Sequence, residues 1–193
     1  MKISRLFYLR MNIYFLAIPL APAIQKRLAV LCYGPSQVHW TEEENLLLIL
    51  RSLGPITDGD ANLLHEQLQH MFFKPFSFYL HGIDHSHSRG NRGKIWVCAA
   101  ESTELDHLQK EIDRLLRLIP RKVTPEKGPV GPHVTLGFYG KVNPQRLADY
   151  LASIAGFQSD AIQVDKCCLY RSLQSPKRVI YEAVETYHST QEC

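Results

Sequence analysis

The chain has 193 residues, of which 45% are apolar and 21% charged, and its formal net charge is +3. This length and composition fit one globular domain, or two small lobes that share a core. The charge permits an anionic ligand but is too small to indicate a large nucleic-acid footprint. The five cysteines are odd in number and include no C-x-x-C pair. They predict free thiols in a reducing, cytoplasmic compartment and argue against a structural metal site.

The N-terminus has two interpretations. Basic residues precede an apolar run and small residues follow it, which is the outline of a signal peptide. Arg10 and Asn12 interrupt the run, however, and it is too short to cross a membrane. We therefore predict a buried first strand at residues 12–18, preceded by a loose extension at residues 1–10, and no membrane partner.

The next part of the chain predicts a helix, a strand and a second helix. Apolar spacing indicates a short helix over residues 23–32. The run at residues 46–50 is entirely apolar and is followed by Gly54 and Pro55, which is typical of a short strand buried on both faces. An aspartate then caps a helix that extends over about residues 58–71.

The middle of the chain predicts two strands and the longest helix. Residues 75–83 alternate between apolar and polar side chains, as in a half-buried strand. A polar loop at 84–93 connects them to a strand at 94–100. Residues 102–120 carry an apolar stripe at helical spacing, and residues 121–130 form a basic connector.

Residues 131–140 predict the strand in which we place the candidate site. Because side chains alternate along a strand, His133, Thr135 and Gly137 are expected on one face. The opposite face is predicted to be a core face with three apolar side chains: Val134, Leu136 and Phe138. An imidazole beside a hydroxyl could hold an anionic group such as a phosphate, and the imidazole can transfer a proton near neutral pH. A half-exposed polar strand face is the alternative.

The C-terminal part adds a helix and two strands. Asn143 and Pro144 are a cap followed by a proline in the first helical position. Strands are expected around residues 162–170 and 178–184. Helices and strands are mixed without strict alternation, which favours an α+β fold with a largely antiparallel sheet.

Residues 47–54 align with residues 133–140 as an internal repeat. Both segments are predicted strands that end in glycine and precede a capped helix, with Leu50 matching Leu136. The repeat predicts two pseudo-symmetric, largely antiparallel sheets that face a central cleft, with helices on the outside. We place this single bilobal domain at residues 11–186 and a tail at 187–193.

The ordered motifs resemble the two-histidine phosphoesterases, and within them the bacterial 2′-5′ RNA ligase-like proteins, or RNA 2′,3′-cyclic phosphodiesterases. The resemblance covers about residues 11–186. Residues 13–20 resemble the first strand of that family, and residues 40–46 resemble the lead-in to its first His-x-Thr motif. Residues 132–136 resemble the second motif, and residues 170–182 resemble the closing strands.

The resemblance implies a reaction that needs neither metal nor cofactor. Opening a 2′,3′-cyclic phosphate with water requires a base on one side of phosphorus and an acid on the other. Two histidines on facing strands supply these groups in the family, and two threonines hold the phosphate oxygens. The implied partners are RNA ends or nucleotides with a terminal or cyclic phosphate, bound by a monomer.

This sequence departs from the family at the first motif, where Leu47 and Ile49 occupy the His and Thr positions. The pair His39 and Thr41 imitates the motif eight residues earlier, in a predicted loop. In the second motif, Phe138 stands where many members carry arginine. His133 and Thr135 remain as the predicted catalytic pair, which implies weak or altered hydrolysis. A non-catalytic nucleotide- or RNA-end-binding module, and a protein-interaction domain with an apolar cleft, remain alternatives.

Further substrate contacts are predicted outside the two motifs. His81 could line the cleft and partly replace the missing histidine. His81, His85 and His87, with Asp84, could instead bind a metal in a loop or simply be solvated. The resemblance points to three strand residues as substrate contacts, for which plain strand packing is the alternative: Tyr170, Arg171 and Ser172. Four basic residues flank the candidate strand as a possible contact to a nucleic-acid backbone or a solvated rim: Arg121, Lys122, Lys127 and Lys141.

Overall fold

A computed structural model of the chain describes residues 12–86, 92–118, 131–174 and 178–190. Several sequence predictions lie outside these residues, namely the extension at 1–10, the whole basic connector at 121–130 with Arg121, Lys122 and Lys127, and His87. Within the described part, the four helices are α1 (Pro22–Ala29), α2 (Asp58–Leu68), α3 (Thr103–Leu116) and α4 (Pro144–Ile154). The strands are β1 (Asn12–Ile18), β2 (Val38–Trp40), β3 (Leu48–Ile56), β4 (Phe76–Phe78), β5 (Leu80–His85), β6 (Gly93–Ala99), β7 (His133–Tyr139), β8 (Ile162–Val164), β9 (Lys166–Gln174) and β10 (Val179–His188).

One large sheet organises the molecule. Its strands follow the order β10-β9-β1-β3-β7-β6-β5, and β2 pairs additionally with β7. The pairings between the named strands are antiparallel, including the separate pair of β4 and β8. The predicted α+β class and the largely antiparallel pairing are therefore confirmed.

The two predicted lobes are two halves of this one sheet. The half with β10, β9, β1 and β3 meets the half with β7, β6 and β5 at a single register pair, Ile49 opposite His133. Each half contains one copy of the repeat, and the strand of each copy is followed by a helix with a side-chain cap. Thr57 caps α2 in a capping box with Asp60, and Asn143 caps α4. The junction between the halves therefore falls on the two repeated segments.

All four helices pack on the same side of the sheet. Their buried side chains, such as Leu28, Leu64, Ile112 and Leu147, belong to one hydrophobic cluster with Leu16 of β1. A second, smaller cluster lies on the opposite side of the sheet and contains five buried residues: Phe15, Ala17, Leu47, Cys168 and Tyr170. We call this opposite side the front face. None of the four described helices packs on this face, so side chains from the two halves of the sheet can lie next to each other there.

A β-bulge in β7 overturns the predicted facing of Phe138. Trp96 of β6 pairs with Thr135, but Ile95 pairs with Gly137, so one step along β6 spans two residues of β7. Leu136 is the extra residue, and beyond it the side chains of β7 point to the opposite face from the one that strict alternation predicts. Tyr139 therefore joins the core, whereas Phe138 is 47% exposed. The prediction of Phe138 on the core face was wrong because a strict period of two does not survive a bulge.

Other differences concern where strands begin and end. Gly54 and Pro55 do not end the strand that was expected at residues 46–50, because they lie inside β3, next to irregular pairing with β1. Gly54 has a φ of 69° there, a conformation that glycine adopts readily. The single strand expected at residues 75–83 is divided between β4 and β5, which belong to different sheets. At the C-terminus, β10 continues past residue 186, and Tyr187 is buried in the core.

Candidate functional site

His133 is the central polar side chain of the front face. It opens β7, is 8% exposed, and lies between Ile49 of β3 and Cys98 of β6 in the register. Its ring makes an edge-to-face contact with the indole of Trp96, with 6.2 Å between the ring centroids. Burial and the contact with Trp96 therefore restrict the position of this imidazole.

The backbone of Gly131 sets the tautomer of His133. The Nδ1 atom of His133 lies 3.1 Å from the carbonyl oxygen of Gly131, and because a carbonyl only accepts, Nδ1 carries the proton. Gly131 has a φ of 94°, a left-handed conformation that favours glycine. In the neutral ring Nε2 then keeps its lone pair, so it can accept a proton or a hydrogen bond.

Burial keeps the imidazole of His133 neutral. The pKa of His133 is lowered from 6.5 to about 4, chiefly because burial desolvates the ring; the hydrogen bond to Gly131 opposes this shift, and the positive charge of Lys94 adds a smaller lowering. Near neutral pH the ring is therefore a base rather than a cation. It can take a proton from water or a hydroxyl, but it cannot attract a phosphate by charge.

This pKa predicts a pH dependence of stability. Between pH 6.5 and about 4, His133 binds a proton in the unfolded chain but not in the folded one. The free energy of unfolding should therefore fall as the pH is lowered through this window, by about 3 kcal/mol in total. Urea denaturation at pH 7 and pH 4.5 of the native chain and of His133→Gln measures the effect. Equal loss of stability in both proteins would contradict it, because the variant lacks the titrating group.

Thr135 lies beyond His133 on the same face of β7. It is half-buried and pairs with Trp96 of β6. The polar groups at this end of the strand are therefore an imidazole with a free Nε2 lone pair and a hydroxyl that can donate to an oxygen. Both come from one strand, as the alternation of residues 133 and 135 predicts.

Leu47 and Ile49 face this pair from the other half of the sheet. Ile49 is the register partner of His133, and continuing that register by two residues on each strand aligns Leu47 with Thr135. A two-fold rotation between the antiparallel strands therefore exchanges Leu47 with His133 and Ile49 with Thr135. This is the correspondence that the internal repeat predicts.

The surroundings of Leu47 are apolar and closed. Leu47 is 4% exposed and belongs to the front-face cluster with Phe15 and Tyr170. The rings of Phe15 and Tyr170 are stacked with centroids 5.4 Å apart, and Tyr181 contacts Phe15 edge-on. Among the described residues, the cluster around Leu47 contains no histidine or carboxylate, and its ionisable members are the thiol of Cys168 and the phenols of Tyr170 and Tyr181.

The three residues predicted on β9 do not act as one group. Tyr170 is buried against Phe15 on the front face, which agrees with the strand-packing alternative. Arg171, the next residue on the strand, forms an ion pair with Glu182, with 2.6 Å between Nη2 and Oε2. Ser172 is half-buried and pairs with Ile13 and Tyr181. Since neighbours alternate along a strand, Arg171 and the other two residues point to opposite sides.

His81 lies away from the junction between the halves. It is exposed on β5, two strands from β7, and forms a bridge with Gln158 on its other edge. Asp84 and His85 are also exposed on β5, and Lys141 is exposed beyond β7. Within the described ranges, no group of three or more histidine, cysteine, aspartate or glutamate residues is placed to hold a metal ion.

His39, Phe138 and Lys94 form a row that sequence reasoning missed. They occupy neighbouring strands, since Phe138 of β7 pairs with both His39 of β2 and Lys94 of β6. The predicted loop around His39 is instead strand β2. His39 and Phe138 are exposed, whereas their neighbours Val38 and Tyr139 are buried in the core. The row therefore lies on the front face. It was missed because the bulge that turns Phe138 to this face cannot be seen in the sequence.

Comparisons with known proteins agree on one family. Residues 98–181 match the family model described as LigT-like phosphoesterase. An RNA 2′,3′-cyclic phosphodiesterase of Aeropyrum pernix is 27% identical over 146 residues, which are 74% of this chain and 81% of that protein.

Solved structures of the same type share the fold. E. coli LigT complexed with 3′-AMP superposes with a TM-score of 0.69 at 19% identity, covering 94% of this chain and 99% of the other. TT0787 of Thermus thermophilus superposes with a TM-score of 0.67 at 18% identity, covering 91% and 97%. A separate property of the described part is that none of its helices is long and apolar enough to cross a membrane.

Proposed function

We propose that this chain, which matches the LigT-like phosphoesterase family model over residues 98–181, acts as a two-histidine phosphoesterase that binds RNA ends or nucleotides carrying a terminal or cyclic phosphate at His133 and Thr135. The observation that carries the proposal is the pairing of a neutral, oriented imidazole with a hydroxyl on the front face of β7. The resemblance of this chain to an RNA 2′,3′-cyclic phosphodiesterase supports the choice of ligand.

His133 has the properties of a general base. Its Nδ1–H is held by Gly131, so Nε2 can take the proton of a water that attacks phosphorus, while Thr135 donates to a phosphate oxygen. No metal is required for either role. We infer that the neutral state of His133 at physiological pH serves this function, since a protonated ring could not act as a base.

The second proton-transfer group is missing, so we propose that hydrolysis is weak. Leu47 and Ile49 stand at the positions that the repeat relates to His133 and Thr135, and neither can protonate a leaving oxygen. His133 alone cannot serve both sides of phosphorus. Loss of one positioned acid or base typically reduces turnover about 10²–10⁴-fold.

The burial of Leu47 favours a second candidate, binding without hydrolysis. Leu47 is buried in a cluster with the aromatic rings of Phe15 and Tyr170, so little of its surface is open to a water that could replace the missing acid. The same burial speaks against a protein-interaction domain that uses an apolar cleft, because Leu47 is already covered and Ile49 is partly buried against the same cluster. We further propose a cytoplasmic monomer, in keeping with the unpaired thiols of Cys32, Cys98, Cys167 and Cys168.

A titration and an assay on the same native protein test the proposal. Calorimetric titration with 3′-AMP should show binding at one site per chain, and 2′,3′-cyclic AMP should be hydrolysed slowly or not at all. Slow turnover supports the first candidate and binding alone supports the second. The proposal is contradicted if neither nucleotide binds, or if turnover is rapid and stops when a metal is removed.

A further inference from the structure

The row of His39, Phe138 and Lys94 lies directly beside the candidate phosphate site. Phe138 follows Thr135 by three residues on the same strand, a span of roughly 10 Å at the usual rise per residue. The bulge turns its ring to the front face, on which His133 and Thr135 also lie. A ring that is 47% exposed at this position is unusual for a strand whose other aromatic residue, Tyr139, is buried.

Lys94 connects the ring to the candidate phosphate site. Its ammonium nitrogen lies 5.4 Å from the centroid of the Phe138 ring, within the range of a cation–π contact. In the register of β6, Lys94 lies two residues from Trp96, which pairs with Thr135, and its positive charge contributes to lowering the pKa of His133. One cation therefore adjoins both a surface on which an aromatic group could stack and a pair of groups suited to a phosphate.

From this arrangement we propose that Phe138 is a stacking platform for the nucleobase of a nucleotide whose phosphate is bound at His133 and Thr135. Lys94 contacts the same phosphate and supplies the positive charge that the neutral His133 lacks. A nucleobase fits the observations because it combines a flat π-face with a neighbouring anion, which is the combination that an exposed ring and an adjacent ammonium recognise. The proposal rests on the proposed function, since it requires a nucleotide phosphate at that site.

The stacking proposal also explains why an aromatic residue is compatible with this position. A side chain at Phe138 lies beside His39 on one strand and Lys94 on the other, so an arginine there would place a second cation next to Lys94. With phenylalanine, the ring and the ammonium attract each other instead. Binding would then depend on the base as well as on the phosphate.

Titrations of four proteins test the stacking role: the native chain, Phe138→Leu, Phe138→Trp and Phe72→Leu. The leucine at position 138 keeps apolar bulk but removes the π-face, whereas tryptophan keeps it. Phe72 is a matched control because it is 57% exposed and follows α2, on the helical side of the sheet. Each protein is titrated with 3′-AMP by calorimetry and with inorganic phosphate by ³¹P NMR.

We expect Phe138→Leu to weaken 3′-AMP binding roughly 5- to 100-fold, as for the loss of one base–aromatic stack. Phe138→Trp and Phe72→Leu should bind 3′-AMP like the native chain, and phosphate binding should be the same in all four proteins. Unchanged 3′-AMP affinity in Phe138→Leu, with phosphate still bound, overturns the stacking role and leaves the proposed function standing. If the native chain binds neither ligand, both proposals fail.

Discussion

Leu47→His combined with Ile49→Thr is expected to raise the turnover of 2′,3′-cyclic AMP about 10²–10⁴-fold over the native chain. The register that pairs Ile49 with His133 places these two positions across the sheet junction from the existing base and hydroxyl. A histidine at position 47 would then supply the acid on the opposite side of phosphorus, and a threonine at position 49 a second contact to its oxygens. Steady-state kinetics with purified proteins measure the gain.

The double substitution has a structural cost that must be separated from its chemistry. Leu47 is buried against Phe15 and Tyr170, so replacing it with histidine places a polar ring in an apolar cluster. Leu47→Asn with Ile49→Thr is the matched control, because it introduces similar polarity without a group that transfers protons near pH 7. If both double variants are folded by circular dichroism and equally slow, the positions were assigned wrongly.

Adding His133→Ala to the Leu47→His, Ile49→Thr double variant is expected to lower its turnover about 10²–10⁴-fold, which cancels the gain of the double substitution. In the triple variant the added histidine has no base opposite it. The effects on turnover of removing two groups that act together are not additive, so loss of one is expected to cancel the benefit of the other. The comparison is made in this background because the native activity is expected to be small. The same assay, with and without His133→Ala, measures the effect.

His133→Gln is the companion variant for this experiment. Glutamine can still donate to the carbonyl of Gly131, so it keeps the contact that orients the side chain while removing the base. We expect it to be as inactive as His133→Ala but closer to the native chain in 3′-AMP affinity. Turnover that persists in both variants would mean that another group is the base and that His133 is structural.

Much of the site could be predicted from local patterns. The alternation along residues 133–135 places an imidazole and a hydroxyl together, and the repeat identifies Leu47 and Ile49 as their counterparts. The first strand, Asn12–Ile18, was predicted with the bounds that the structure shows. These features depend on residues that are close in sequence or on a comparison of the chain with itself, so no knowledge of the sheet was needed.

The remaining features depend on pairing between distant strands. The facing of Phe138 is decided by a bulge that forms only when β6 lies beside β7. The substrate role of Tyr170, Arg171 and Ser172 stays a prediction; the packing of Tyr170 against Phe15 and the ion pair of Arg171 with Glu182 depend on contacts between different strands. His81 was expected near the site, but the order of the strands places it at an edge. None of these relations leaves a pattern in a single segment.

The central claim is that the front face of β7 binds the phosphate of a nucleotide through His133 and Thr135. The most direct test is an NMR titration of the isotope-labelled native chain, in which the His133 ring and the Thr135 methyl group are followed as 3′-AMP is added. Adenosine, which lacks the phosphate, is the control ligand. We predict that both signals shift with 3′-AMP and shift much less with adenosine. If 3′-AMP binds and both signals stay in place, the phosphate site lies elsewhere and the account is wrong.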